Sequence, residues 1–418
     1  MARGTGSVLI LFAFMMYFFS QKCEGKIIEV CPEATCKVHS IQQAINMAEN
    51  GDTVYVGGGF YYEGNLKLNK SIFLWSDENA VIDGQNKFET LTITVPNVKV
   101  QGFCFQNTGR TSIEDIAAIH IDKTHNISII NNRIENAFFG ILSEGSNTCR
   151  IEKNQISGIA VDENVTGNGI HNWKCDSMQI LSNSISGHRD GIYMEFVSNS
   201  TIAKNKSTGN LRYGLHFMFS NNDLYEGNTF QKNGAGVAVM FSKHVDMYNN
   251  LFADNWGSSA FGLLLKEISG GNISGNIFKS NTTGAFFEGS AKLKMHKNQF
   301  LKNGWAFKIQ ASCEDIQMDS NNFIGNTFDI ATNGTLVLNT FENNYWDKYQ
   351  GYDLSKDGIG DVPYQPVSLY SMITEKNPTT LLLMRSFLTD MLDKAEKVIP
   401  SITPEKLKDN KPLMKPVI

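Results

Sequence analysis

Proline is scarce in this chain, nine residues in 418, and basic residues are nowhere gathered into a cluster. The scarcity of proline sets aside the proline-rich, low-complexity classes. The apolar fraction of 41% is that of a protein able to bury a substantial core. The second absence removes nucleic acid as a partner, because phosphate recognition needs a dense positive face and the net charge here is −5. Catalytic signatures are missing too: no nucleophile elbow, no phosphate-binding loop and no Gly-x-Gly-x-x-Gly occurs. Gly57-Gly58-Gly59 is followed by Phe-Tyr-Tyr and reads as a turn.

One apolar run stands out, Val8–Phe19 after Arg3. It is short for a membrane span and has the proportions of a signal-peptide core, so residues 1–25 are expected to be a signal peptide cleaved after Gly25. An uncleaved anchor and a lipidated Cys23 are the alternatives. The seven cysteines are an odd count. Cys31 and Cys36 are placed to close a small disulfide loop in an oxidising compartment, or to act as a soft metal pair. Cys104, Cys149, Cys175 and Cys313 sit among apolar neighbours and read as small buried hydrophobes.

Asparagine and glycine are plentiful, and both are periodic. The pattern Asn-x-(Ile/Phe) recurs at Asn132, Asn154, Asn183, Asn228, Asn250, Asn276, Asn298 and Asn321, and Asn205 fits the series with Ser207 in the apolar slot. Most spacings are 22 or 23 residues, with exceptions of 29 and 26. A glycine lies 14 residues before the Asn in seven units: Gly140, Gly169, Gly191, Gly214, Gly236, Gly262 and Gly284. The extra residues therefore fall in loops near Asp162–Asn168 and Trp256–Ser259. A repeat of this length with short apolar strands is one coil of a parallel β-helix, and stacked Asn turns offer an amide ladder.

The expected fold is all-β: a single-stranded, right-handed parallel β-helix over residues 26–350 with about 22 residues per coil. Ser40–Asn50 has apolar residues at helical spacing and is expected to cap the first coil. Residues 351–418 form a C-terminal extension. Within it, Thr380–Ile399 carries a helical apolar stripe, and charged residues in the stripe argue against a membrane span. The Pro-rich end is expected to be extended. Asp353, Asp357 and Asp361 invite a calcium reading, but their spacing departs from the EF-hand pattern and a plain turn is expected.

Alternation along the strands assigns faces. The first and third residues after each marker glycine are apolar and face inward, so Met194 is core. The second and fourth include Tyr193/Glu195, His216/Met218, Ala238/Met240 and Lys266, and face outward. Met218 and Met240 should stack on adjacent coils about 4.8 Å apart, with His216 beside them. Two thioethers and an imidazole suit Cu(I), a soft ion. An apolar docking patch and an ordinary surface histidine are the bland reading of the same residues. His244 is a further candidate, His188 reads as structural, and His171 lies two coils from His216.

The ordered series GDTVYVGGGFYYEG, RDGIYME, RYGLHFMFS, GVAVMFS and NYWDKYQGYDLSKDGIGDVPYQP, with the tail LLLMRSFLTDMLDKAEKVIPSITPEKLKDNKPLMKP, resembles the NosD family of periplasmic β-helix proteins of nitrous oxide reductase maturation. The resemblance covers roughly residues 27–416. It implies a non-enzymatic extracytoplasmic subunit of an ABC-type complex with a membrane subunit and an ATPase. Such a protein receives copper from a chaperone lipoprotein and supports assembly of the copper sites of nitrous oxide reductase. The 380–399 helix would then dock on the membrane subunit. Transient Cu(I) is expected at His216, Met218 and Met240, which fall within these motifs. Two rivals remain. One is a secreted polysaccharide lyase, hydrolase or epimerase, for which Asp190 and Glu195 are isolated candidates. The other is a metal-free structural adaptor.

Overall fold

The computed structural model describes residues 25–32, 36–77, 80–111, 113–334, 336, 338–384, 386–398 and 407–417. The expected signal peptide and Cys23 lie outside these residues, Gly25 apart. Three sheets of 14, 12 and 13 strands run the length of the molecule, and past the first coils each strand pairs with the strand three places on in the chain. Every named pairing is parallel, as between Ile119 and Ile141 or Phe230 and Phe252. The chain thus visits three faces in turn and lays each coil on the last, a three-sided parallel β-helix.

The repeat follows from two buried requirements. Each ladder Asn accepts a hydrogen bond at its Oδ1 from the backbone N–H of the preceding ladder Asn, at 2.9–3.0 Å from Asn132 through Asn344. A buried N–H left unmatched costs about 1–3 kcal/mol, so the side chain is not interchangeable here. The ladder ends on Asp409, brought back by the C-terminal tail, which accepts from the Asn344 N–H and the Trp346 indole at 3.0 Å each. The marker glycines answer a steric demand. A Cβ on any of the seven would lie 2.2–2.8 Å from a carbonyl oxygen of the next coil.

Inside, the apolar slot of the Asn motif forms a continuous stack. Phe230, Phe252, Phe278, Phe300, Phe323 and Trp346 follow one another at centroid distances of 4.1–5.6 Å. A second ladder, five residues after the first, joins Asn210, Asn233, Asn255, Asn281, Asn303 and Asn326 at 2.9–3.1 Å. The four scattered cysteines are buried and free, and Cys31–Cys36 is a disulfide.

The ends differ from the middle. The cap is a helix, Ile41–Met47, shorter than the 40–50 stripe; the Ser40 hydroxyl accepts from the Gln43 N–H, and Ile41, Ala44 and Ile45 are buried. At the other end the expected 380–399 helix is found as Phe387–Val398. Residues 378–383 form a 3-10 turn instead, and a further helix, Leu369–Lys376, precedes it. Tyr370 of that helix packs on Phe328, and Lys308 pairs with Glu375 at 2.7 Å, so the extension lies against the outer face of the 12-stranded sheet. The Asp-rich loop is a set of turns. Asp353 accepts from the Asp357 and Gly358 N–H groups, Asp357 from Ile359, and Asp361 from Leu354. Among the described residues no helix is long and apolar enough to cross a membrane.

Candidate functional site

The marker glycines fix the register of the 12-stranded sheet, and the register places the candidate residues. Strand Tyr213–Met218 pairs with Ala235–Met240 so that His216 faces Ala238 and Met218 faces Met240. On the preceding strand Tyr193 and Glu195 occupy the same two positions, and Lys266 follows Met240. Leu215, Phe217, Val237 and Val239 are buried on the other side of the pleat. The two methionines therefore stack on the outer face between a carboxylate and an ammonium, both half-buried. Met194 points inward, where the Asn172 amide donates to its sulfur at 3.2 Å.

Facing outward does not make this column solvent-exposed. His216 is 7% exposed, Ala238 0% and Leu264 8%. The expectation of a solvent-facing histidine is corrected: the rings of Tyr193 and Tyr213 each lie 4.9 Å from the imidazole and help cover it. Its Nδ1 is 3.7 Å from Asp190 Oδ2 and 3.4 Å from Arg212 Nη2, and its Nε2 is buried without a hydrogen-bond partner. Burial pushes the Asp190 carboxyl up, but Arg212 and His216 outweigh it and hold it below the usual carboxylate range.

The other histidines separate. His171 shares the column of His216 with Tyr193 between them, at 4.7 and 4.9 Å, and burial holds its imidazole down at about 4. His188 is fully buried, also at about 4. Its N–H donates to Asn210, so it heads the second ladder. His244 is exposed on strand Lys243–Tyr248, which belongs to the 14-stranded sheet, and is not on the face of the methionines.

Two features were not singled out in the sequence. Phe196, Phe219 and Phe241 directly follow Glu195, Met218 and Met240. They stack at 5.1 and 5.2 Å with φ of +53°, +51° and +54°. That backbone region costs a side-chain-bearing residue roughly 1–2 kcal/mol. Other coils fill the position with Lys123, Gly145, Lys174, Glu267 or Gly289. The signal was present as a Phe every 22 or 23 residues. From Met240 and Phe241 a groove of about 850 Å³ runs over Phe261, Leu264, Phe286 and Trp305 to Leu381 of the extension.

The second feature is a harder donor group on the same face. His120, Asp122 and Glu144 bring ligand-capable atoms within 4.8 Å of one another. His120 also lies between Glu89 and Glu144, at 3.4 and 3.0 Å, so both its ring nitrogens already face carboxylates. The Met218–Met240–His216 group is the softer one. Two thioethers and an imidazole are donor types that suit Cu(I) and are poor for Ca²⁺ or Mg²⁺.

Residues 158–352 match the family model described as NosD, periplasmic copper-binding protein. That range holds His216, Met218 and Met240. A "probable ABC transporter binding protein NosD" of Stutzerimonas stutzeri is 27% identical over 377 residues, covering 85% of each chain. Its namesake in Pseudomonas aeruginosa is 28% identical over 376 residues, covering 85% of this chain and 86% of that one. Among solved structures, the catalytic domain of a GH87 α-1,3-glucanase carrying one Asp-to-Ala substitution, in complex with nigerose, superposes with a TM-score of 0.61 at 10% identity, over 78% of this chain and 70% of that one. This last likeness is one of fold alone.

Proposed function

We propose that this chain is a NosD-like periplasmic accessory subunit that carries copper, as Cu(I), in transit and catalyses no reaction itself. Its partners are the membrane and ATPase subunits of an ABC-type complex. Copper comes from a chaperone lipoprotein and goes to the copper sites of nitrous oxide reductase. The family described as copper-binding and the relatives named for an ABC transporter support this reading.

The observation that carries the metal assignment is the in-register stacking of Met218 on Met240, with the unpartnered Nε2 of His216 in the next outward column. Copper is cargo here, so the half-burial of both thioethers matters: the ion stays reachable by an incoming or outgoing ligand. The Phe196–Phe219–Phe241 stack, exposed at its first two rings and half-buried at the third, lies at the rim of the pair and gives a docking protein an apolar foothold beside it. The enzyme reading would need acids along this face. Beyond Glu195 the outward columns instead run through Met218, Ala238, Leu264 and Phe286, with the charges of Lys266 and Glu288 paired at 3.2 Å and that of Lys308 paired with Glu375 at 2.7 Å.

The test is an anaerobic Cu(I) competition titration of the purified protein against the His216→Ala/Met218→Ala/Met240→Ala variant. Loss of tight binding in the variant, with an unchanged fold by circular dichroism, is expected. Equal binding by the two proteins leaves only a scaffold.

A further inference from the structure

An imidazole ligates a metal only through the nitrogen that carries no proton, so the tautomer of His216 decides whether it is a ligand at all. Nδ1 faces the Asp190–Arg212 pair, and Nε2 is the buried nitrogen without a partner. A proton on Nδ1 leaves the Nε2 lone pair free. A proton on Nε2 closes the site to copper.

We propose that Asp190 is a positioning residue that holds the proton of His216 on Nδ1 and so presents Nε2 to copper. The inference rests on the copper reading above and deepens it. Asp190 is fully buried, one coil before His216 on the same face of the sheet. Its Oδ1 accepts from Arg212 Nε at 2.9 Å and from the Tyr213 N–H at 3.2 Å. Its Oδ2 accepts from Arg212 Nη2 and keeps a lone pair towards Nδ1, 3.7 Å away. A small rotation of the ring brings that gap to hydrogen-bond length, and an N–H···carboxylate bond is charge-assisted. Arg212 Nη2 also approaches Nδ1, at 3.4 Å, and competes for it as a donor, but its closer bond is to the Asp190 carboxylate. Metal-bound histidines commonly donate their other N–H in this way, and losing the acceptor typically weakens binding 10–100-fold.

Asp190→Asn is the informative change. The amide oxygen is favoured at the Oδ1 position, where Arg212 Nε and the Tyr213 N–H both donate, which turns the NH₂ towards Arg212 Nη2 and His216 Nδ1. That NH₂ can only donate, so the proton moves to Nε2. The measurement is the long-range ¹H–¹⁵N correlation of the histidine rings in the full apo protein, with His216 assigned from the His216→Ala spectrum, alongside Cu(I) competition. Wild type is expected to show Nδ1–H. The variant is expected to show Nε2–H and about 10–100-fold weaker Cu(I) binding. An Nε2–H tautomer in wild type overturns the inference without recourse to any variant. So does an Asp190→Asn protein that binds Cu(I) as wild type does while His216→Ala does not. Unimpaired Cu(I) binding by His216→Ala would instead fail the copper reading of this residue, and the inference with it.

Discussion

Two places on the 12-stranded sheet share one geometry and differ in chemistry. His120 and His216 stand in the same outward column, four strands apart, and Asp122 and Glu144 stand where Met218 and Met240 stand four strands later. Each group is an imidazole beside two stacked donors, carboxylates in one and thioethers in the other. At about 4.8 Å per coil they are roughly 19 Å apart. The coil fixes where donors meet, and the residue types decide what they hold. The N-terminal group sets its imidazole among carboxylates, which raise its pKa. The middle group has neutral donors, and its nearest acid, Asp190, is taken up by Arg212.

The largest effect is expected from breaking the shared frame. Gly236→Ala puts a Cβ 2.2 Å from the Gly262 carbonyl oxygen, on the strand that carries Met240. A loss of about 3–5 kcal/mol, read by denaturant unfolding, is expected. The His120 strand already carries alanine at this position, Ala118. Next comes conversion of one group into the other. Met218→Asp with Met240→Glu should weaken Cu(I) by more than about 100-fold, since second-shell partners alone are worth 10–100-fold. Retained Cu(I) affinity in that variant would erase the distinction between the two sites.

A smaller effect sharpens the contrast from the other side. Burial lowers the His120 pKa, but Glu89 and Glu144 outweigh it and the net shift is upward. A raised folded-state pKa contributes stability that is full below the unfolded value of about 6.5 and is lost as pH rises through the folded one. His120→Ala should therefore lower the melting temperature more at pH 6 than at pH 9, and leave Cu(I) affinity unchanged; the reverse pH trend would contradict the ion-pair account. The smallest effect is at Phe219. Changing it to Lys, as in other coils, leaves the left-handed φ in place and removes ring stacking worth about 0.5–1.5 kcal/mol. Stability should fall by about that amount, while copper transfer to a partner slows.

Much of this was legible in the sequence because a β-helix turns counting into geometry. A constant Gly-to-Asn interval gave the register, and the register brought Met218 and Met240 together before any coordinates. The same arithmetic would have found the second Asn ladder and the Phe196–Phe219–Phe241 stack, since both recur at the coil period. The covering of His216 was harder to see. Asp190 occupies an outward position just before its marker glycine, and Arg212 lies just outside its strand, so neither belongs to the two aligned columns. The C-terminal helices follow no repeat. They are set by tertiary packing of Tyr370 and Leu392 against Trp305 and Phe328, which periodicity does not encode.

The most direct measurement of the central claim is copper K-edge absorption on selenomethionine-substituted protein loaded anaerobically with less than one equivalent of Cu(I). The account predicts copper–selenium scattering together with an imidazole contribution, both lost in the Met218→Ala/Met240→Ala/His216→Ala protein. A copper environment of oxygen and nitrogen alone, or of cysteine sulfur without selenium, would contradict it.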